Sequence, residues 1–171
     1  MQKKVRRQLT LFVNPNDAIN IEKIRRMYNP VQFDLIKAHV TLCREDEIID
    51  QDRVLANLYN ISKKSFTVNF GKVVRFEEGK GVLIPALKDN VEFYGLRASI
   101  LNGLFNPPRI FFPHITLMHP RNSLCTDTIF YQIQKYLLPA KLTFHSISLI
   151  EQENAGKWKT LEEFKLFESV S

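Results

Sequence analysis

Two short segments of the chain repeat the same residue types in the same order. Residues 39–42 read His-Val-Thr-Leu, and residues 114–117 read His-Ile-Thr-Leu. Successive side chains of a β-strand point to opposite faces of the sheet. In a strand, each histidine therefore shares one face with the threonine two residues later, and the two apolar residues pack on the other face. Each segment presents one titratable imidazole beside one hydroxyl.

Two such imidazoles across a cleft can catalyse a displacement at phosphorus. A histidine has an ordinary pKa of about 6.5, so it can act as a base or, once protonated, as an acid near neutral pH. One histidine would deprotonate the nucleophile while the other protonates the leaving oxygen. Attack and departure at phosphorus are roughly in line, which requires the two groups on opposite sides. Thr41 and Thr116 would donate to the phosphoryl oxygens, and no metal is needed.

The apolar pattern predicts strands alternating with helices. Pro30 is expected to end the first helix, and residues 106–108 the third. Turns are expected at residues 77–81 and 154–156. The predicted strands span residues 8–13, 34–42, 65–74, 82–87, 109–118, 141–151 and 157–167. The predicted helices span residues 17–28, 50–61 and 126–138, with a further helix that begins at Asn90.

The two halves of the chain share this order of elements. The histidine segments are 75 residues apart, and the helix at 50–61 and the turn at 79–81 recur at nearly the same offset. This weak repeat predicts an α+β fold of two similar lobes, each an antiparallel-rich sheet with flanking helices. A central cleft would lie between the lobes. Residues 1–171 are expected to form a single two-lobed domain, with the boundary of the repeat near 76–82.

The two tetrapeptides resemble the paired His-x-Thr motifs of the two-histidine (2H) phosphoesterase superfamily. The first strand and the motif spacing are most similar to its 2′-5′ RNA ligase-like branch. The resemblance implies the two-lobed fold and metal-independent action, without a cofactor, on 2′,3′-cyclic phosphates or 2′-5′ linkages of RNA or nucleotides. It implies that His39 and His114 form the acid–base pair and that Thr41 and Thr116 bind phosphate. It does not assign acid and base.

The function expected is hydrolysis of such phosphodiesters, with a 2′-phosphate as product by analogy with the family. In reverse, a 2′- or 5′-hydroxyl would replace water, which would make the protein a 2′-5′ RNA ligase. Two alternatives stay open at the level of sequence. One is a non-catalytic module that binds RNA or nucleotides, and the other is a hydrolase of a small cyclic phosphate unrelated to RNA.

Other residues are candidates for substrate binding. Arg44 and His119 follow the two histidines by five residues, and they or Arg121 can contact phosphate or sugar. The interpretation we favour for these three is a solvent-facing position beyond a strand end. Aromatic residues near the motifs can stack on a base, although core packing is the favoured interpretation for them. These aromatic residues are Tyr28, Phe33 and Phe112.

Composition and charge are those of an ordinary globular protein. The 171 residues carry a net charge of +6, which suits a phosphate-bearing ligand. The basic run Lys3, Lys4, Arg6 and Arg7 is interpreted as a solvated terminus, and His145 as structural. Cys43 and Cys125 lack metal-ligand spacing and are expected to be reduced thiols. No apolar run approaches the roughly 20 residues that span a bilayer. A cytoplasmic monomer without membrane partners is expected.

Overall fold

The computed structural model describes residues 2–104 and 110–168, which contain nine strands and five α-helices. The strands are β1 (Val5–Phe12), β2 (His39–Cys43), β3 (Phe66–Asn69), β4 (Val74–Phe76), β5 (Gly81–Pro85), β6 (His114–Met118), β7 (Lys141–Phe144), β8 (Ser146–Glu153) and β9 (Trp158–Lys165). The helices are α1 (Ile19–Tyr28), α2 (Pro30–Leu35), α3 (Gln51–Asn60), α4 (Val91–Ile100) and α5 (Asp127–Ile133).

Seven of these strands form one antiparallel sheet in the order β4-β5-β6-β2-β1-β8-β9. The two histidine strands, β2 and β6, are neighbours near its middle and pair through Val40 and Ile115. Strands β3 and β7 form a separate two-stranded sheet. The predicted α+β fold of two antiparallel-rich lobes is confirmed, and the strands of the two lobes meet at the β2–β6 pair.

The pairing on either side of the histidine strands follows one pattern. His39 on β2 lies opposite Phe12 on β1, and His114 on β6 lies opposite Pro85 on β5. Each pair of strands also has a register shift at the corresponding place, between residues 9 and 10 in β1 and between residues 82 and 83 in β5. A bulge of this kind bends a strand and increases its twist. The two halves thus present their histidines through the same local geometry.

The apolar positions of the histidine strands form the centre of the core. Val40, Leu42, Ile115 and Leu117 are essentially inaccessible to solvent. The helices cover this face of the sheet with their own apolar stripes, which include the buried residues Ile21 and Ile24 of α1 and Phe93 and Leu96 of α4. Burial of the apolar face leaves the opposite face of β2 and β6 available for the polar side chains.

The region around Pro30 differs in part from its prediction. The first helix ends before Pro30 as predicted, since α1 ends at Tyr28. Pro30 also begins a second helix, α2, because the first residue of a helix needs no backbone N–H. The strand predicted for residues 34–42 was therefore too long at its beginning, and β2 begins only at His39. The helix predicted for 126–138 ends at Ile133.

Two predicted strands are each divided in the structure. Residues 65–74 contain β3 and the first residue of β4, and residues 141–151 contain β7 and most of β8. The breaks allow β3 and β7 to pair with each other while β4 and β8 join the large sheet. His145 lies at the second break and contacts Ser65, with 3.0 Å between its Nδ1 and the hydroxyl oxygen. The spacing of the apolar residues changes from two to three at both breaks, between Phe70 and Val73 and between Phe144 and Ile147, a signal that sequence analysis missed.

None of the helices in residues 2–104 and 110–168 is long and apolar enough to cross a membrane.

Candidate active site

A cleft of about 830 Å³ lies over the polar face of the central strands. His39 and Thr41 of β2 line it together with His114 and Thr116 of β6. All four side chains are half-buried, and each alternates with a buried apolar residue. The predicted sharing of one face by histidine and threonine is therefore observed in both strands. The adjacency of β2 and β6 places the two pairs side by side.

The two imidazoles are held by the same kind of hydrogen bond. His39 Nδ1 lies 2.8 Å from the carbonyl oxygen of Lys37, and His114 Nδ1 lies 2.9 Å from that of Phe112. A carbonyl oxygen can only accept, so Nδ1 carries the proton in both rings. Each histidine consequently has only Nε2 with which it could take or give a proton. The ring of Phe12 packs edge-on against His39, with centroids 6.2 Å apart.

An ion pair from α1 supports the carbonyl that orients His39. Ala38 N donates to Glu22 Oε1 at 2.7 Å, and Arg25 Nη2 donates to the Ile36 carbonyl at 2.7 Å. Arg25 Nη1 in turn donates to Glu22 Oε1 at 2.5 Å. These bonds hold the peptide groups on both sides of Lys37. The position of the imidazole thus depends on a helix that sequence analysis treated as packing alone.

Burial lowers the pKa of His39 to about 4. The positive charges of Arg25 and His114 lower this pKa further, whereas the hydrogen bond to the Lys37 carbonyl opposes the shift. The charged form loses hydration in the cleft, and nearby like charges disfavour it. His39 is therefore neutral at pH 7, with its Nε2 lone pair available as a proton acceptor.

His119 has the opposite hydrogen-bonding arrangement. The backbone N–H of Arg121 donates to His119 Nδ1 at 3.1 Å, so neutral His119 carries its proton on Nε2. Burial is the main cause that lowers the pKa of His119, and the charges of Arg121 and Arg6 act in the same direction. His119 lines the cleft as a hydrogen-bond donor, unlike His39 and His114.

The remaining predicted residues lie in different places. Arg44 and Arg121 are exposed, as the favoured interpretation had it, and both also line the cleft. Phe112 is exposed on the cleft wall, with 72% of its surface accessible, so the core packing favoured for it was wrong. Phe33 and Tyr28 are half-buried and are not among the cleft-lining residues. The structure thus brings Arg44, His119 and Arg121 to the site and leaves Phe33 outside it.

A sequence model of the 2′-5′ RNA ligase superfamily matches residues 13–156, which include both histidine segments. The chain belongs to the 2′-5′ RNA ligase superfamily. The resemblance to the two-histidine phosphoesterases is thereby confirmed. Among curated protein sequences, none matches this member of the superfamily.

Solved structures share the fold of this superfamily member over at least 95% of the chain. Escherichia coli LigT in its apo form aligns with a TM-score of 0.68 at 15% sequence identity, covering 98% of this chain and 99% of LigT. LigT complexed with 3′-AMP aligns with a TM-score of 0.61 at 14% identity, covering 95% and 98% of the two chains. A Thermus thermophilus protein aligns with a TM-score of 0.59 at 17% identity, covering 96% and 100%.

Several cleft residues of this superfamily member were missed by sequence analysis. They come from β1 and from the β8–β9 hairpin, which lie about 150 residues apart in the chain. Gln8 and Thr10 alternate with Leu9 and Leu11, which marks a polar face of β1 and was the available signal, although Arg7 interrupts the alternation before Arg6. The interpretation of Arg6 as part of a solvated terminus was wrong, since it is half-buried and lines the cleft. The missed residues of the hairpin are Gln152 and Trp158.

Across residues 2–104 and 110–168, no three His, Cys, Asp or Glu side chains are grouped so that they could hold a metal ion. Independence of metal stays a prediction. Cys43 and Cys125 are free and buried.

Proposed function

We propose that this protein is a phosphodiesterase that opens 2′,3′-cyclic phosphates of RNA or nucleotides by two-histidine acid–base catalysis. The observation that carries the proposal is the matched pair of imidazoles in one cleft. Both His39 and His114 use Nδ1 to donate to a backbone carbonyl and keep Nε2 for proton transfer. Each has a threonine on the same strand face. A cytoplasmic location suits the two free cysteines, because reduced thiols are typical of that compartment.

In hydrolysis, His39 is the general base and His114 the general acid. His39 Nε2 takes a proton from water as the water oxygen forms a bond to phosphorus. The bond from phosphorus to O3′ breaks, and the proton on His114 Nε2 passes to O3′. The products are a 2′-phosphate and a free 3′-hydroxyl. The lowered pKa of His39 supports its assignment as base, since a base must be unprotonated before attack.

Hydrogen-bond donors that line the cleft stabilise the negative charge on the phosphoryl oxygens. The hydroxyls of Thr41 and Thr116 flank the histidines, and neutral His119 adds an Nε2–H donor. Donors fixed in a partly dry site stabilise developing charge without reorganising. The guanidinium groups of Arg44 and Arg121 bring positive charge to the same space. These groups compensate the negative charge of the phosphate, and no step of the proposed reaction needs a metal.

The same site supports ligation when a 5′-hydroxyl replaces water. His39 would deprotonate the 5′-hydroxyl, its oxygen would attack the cyclic phosphate, and O3′ would again leave with the proton of His114. The product would be a 2′-5′ phosphodiester and a 3′-hydroxyl. Complexes of the similar protein LigT with phosphate, ATP, NADP⁺ and 3′-AMP support a ligand that carries a nucleotide phosphate.

A substrate panel tests the reaction. Purified protein is given 2′,3′-cyclic mononucleotides and RNA oligonucleotides that end in a cyclic phosphate, in the presence of a chelator. The position of the product phosphate is read by ³¹P NMR. We expect a 2′-phosphate as the only product. A 3′-phosphate, a requirement for added metal, or binding without product over a long incubation would contradict the proposal.

A further inference from the structure

The cleft extends from the histidines to a second group of side chains at the far end of β1. Two rows of paired residues cross the sheet on the cleft side. The first row contains Thr41 and Thr10, which are partners on β2 and β1. The second row contains Arg6 on β1, Gln152 on β8 and Trp158 on β9, which are successive partners. All three residues of the second row line the cleft.

The second row is well separated from the catalytic groups. Arg6 precedes Thr10 by four residues, which corresponds to about 13 Å along an antiparallel strand. Trp158 lies on β9, three strands from β2, which corresponds to about 14 Å across the sheet. A nucleotide whose phosphate is held between His39 and His114 would not place its own base so far away. The second row is therefore in a position to contact a different nucleotide.

The Arg6 guanidinium lies over the Trp158 indole as a cation–π pair. The Arg6 guanidinium carbon lies 5.5 Å from the centroid of the Trp158 ring. Arg6 Nε donates to Glu45 Oε2 at 2.5 Å, and Arg6 Nη1 donates to Gln152 Oε1 at 3.2 Å. Gln152 is itself buried and donates to the Gly156 carbonyl at 2.8 Å. Hydrogen bonds to Glu45 and Gln152 thus hold the Arg6 guanidinium beside the indole ring.

The charges around this pair favour a base over a phosphate as its ligand. Glu45 pairs with Arg6 and, like Asp46, lines the cleft. The Glu45 carboxylate compensates the arginine charge, and both carboxylates would repel a phosphate. Indole and guanidinium planes both stack on nucleobases, and such stacking tolerates any base because every base has a π-face. The group suits an uncharged aromatic ring.

We propose that Arg6 and Trp158 stack on the base of a nucleotide that lies 5′ of the cyclic phosphate. The inference rests on the proposed function, because a terminal cyclic phosphate leaves the chain free to continue only in the 5′ direction. It makes an RNA chain, and not a mononucleotide, the substrate that fills the cleft. Trp158 is a specificity-determining residue for chain length, and it takes no part in proton transfer.

Trp158 is the only tryptophan in the chain, so its fluorescence reports directly on this site. The protein is titrated with a tetranucleotide that ends in a 2′-phosphate and, separately, with the corresponding 2′-phosphorylated mononucleotide. Neither ligand can be turned over by hydrolysis. We expect the tetranucleotide to quench the tryptophan emission in a saturable manner. The mononucleotide is expected to leave the emission unchanged, although it competes for binding at the histidines.

Substitution of Trp158 provides a second test of the stacking site. Trp158→Leu is expected to weaken tetranucleotide binding by roughly tenfold, since stacking of one base contributes on this scale. Binding of the mononucleotide is expected to stay the same, as measured by calorimetry. Tyr131→Leu is the matched control. Tyr131 is an exposed aromatic residue of α5, and Lys135 Nζ lies 4.3 Å from its ring centroid. It is not among the residues that line the cleft.

Three results would overturn the inference: equal quenching by both ligands, tetranucleotide binding without a change in emission, or an equal effect of Trp158→Leu on both ligands. Failure of this inference can be separated from failure of the proposed function. Quenching without turnover of cyclic phosphates would contradict the reaction alone. Turnover without quenching would contradict the stacking site alone, and absence of both RNA binding and turnover would contradict both.

Discussion

At the scale of single residues, His39 and His114 make the same hydrogen bond but have different surroundings. Each donates from Nδ1 to a carbonyl two residues earlier and keeps Nε2 for substrate. His39 in addition has a pKa lowered to about 4, mainly by burial and further by the charges of Arg25 and His114. The sequence predicted the pair and the strand face. It could not predict the lowered pKa of His39, because the burial of the ring and the approach of Arg25 both arise from the packing of distant segments.

The lowered pKa of His39 predicts an unusual pH dependence. A base must be unprotonated, so kcat/KM for a cyclic phosphodiester falls as the pH is lowered through the pKa of the free enzyme's base. We expect the acidic limb of kcat/KM near pH 4, well below the ordinary histidine value of about 6.5. Initial rates from pH 3.5 to 9 test this, with circular dichroism at each pH as the control for folding. An acidic limb near pH 6.5 would contradict His39 as the base.

At the scale of elements, one helix from each half of the chain holds an end of β2 through a buried arginine. Arg25 of α1 donates to the Ile36 carbonyl just before β2. Arg97 of α4 donates to the Leu42 carbonyl and pairs with buried Glu47. The Glu47 carboxylate also accepts a hydrogen bond from the backbone N–H of Arg44. The Arg97 guanidinium lies 4.8 Å from the ring centroid of Phe111, just before β6. Periodicity predicted these helices but gave no sign of the polar contacts, because arginine and glutamate normally mark an exposed face.

Removal of the Glu22 carboxylate is expected to affect both stability and catalysis. Glu22→Ala leaves the buried guanidinium of Arg25 without its anion and removes the acceptor of Ala38 N. We expect the free energy of unfolding to fall by about 3 kcal/mol, because breaking a buried pair leaves an uncompensated charge. We also expect kcat to fall under conditions where the variant is folded, since the Lys37 carbonyl loses its support.

Glu92→Ala is the matched control for that substitution. Glu92 is an exposed glutamate in the first turn of α4. Urea unfolding and steady-state rates are compared for wild type and the two variants. Equal stability and equal kcat for Glu22→Ala and Glu92→Ala would show that the α1 ion pair does not support the site.

At the scale of the whole molecule, both halves of the chain contribute strands to the large sheet, and one strand from each half forms the small sheet. The β2–β6 pair joins the halves in the large sheet, and β3 and β7, also one from each half, form the small one. The weak repeat predicted the two lobes and the position of the cleft between them. It could not predict that the β8–β9 hairpin would pack beside β1 and complete the cleft, because contacts between residues about 150 positions apart leave no periodic signal.

We propose on this basis that the lobes form a single folding unit. Separation of the lobes would break β-ladders in both sheets, which argues against independent unfolding. We expect one unfolding transition in urea, with the same midpoint by far-ultraviolet circular dichroism and by Trp158 fluorescence. The circular dichroism signal reports on both lobes, whereas the tryptophan reports on the β8–β9 hairpin beside β1. Two transitions with different midpoints would contradict the proposal.

The central claim is that two histidines share one displacement, and their removal tests it most directly. Hydrolysis of RNA ending in a 2′,3′-cyclic phosphate is measured in the presence of a chelator for wild type, His39→Ala, His114→Ala and His145→Ala. His145 is the matched control, since it is a histidine outside the cleft-lining set. We expect each of the first two substitutions to lower kcat by about 10²- to 10⁴-fold, the usual contribution of a positioned acid or base. His145→Ala is expected to keep the wild-type rate. Wild-type turnover in either His39→Ala or His114→Ala would contradict the account.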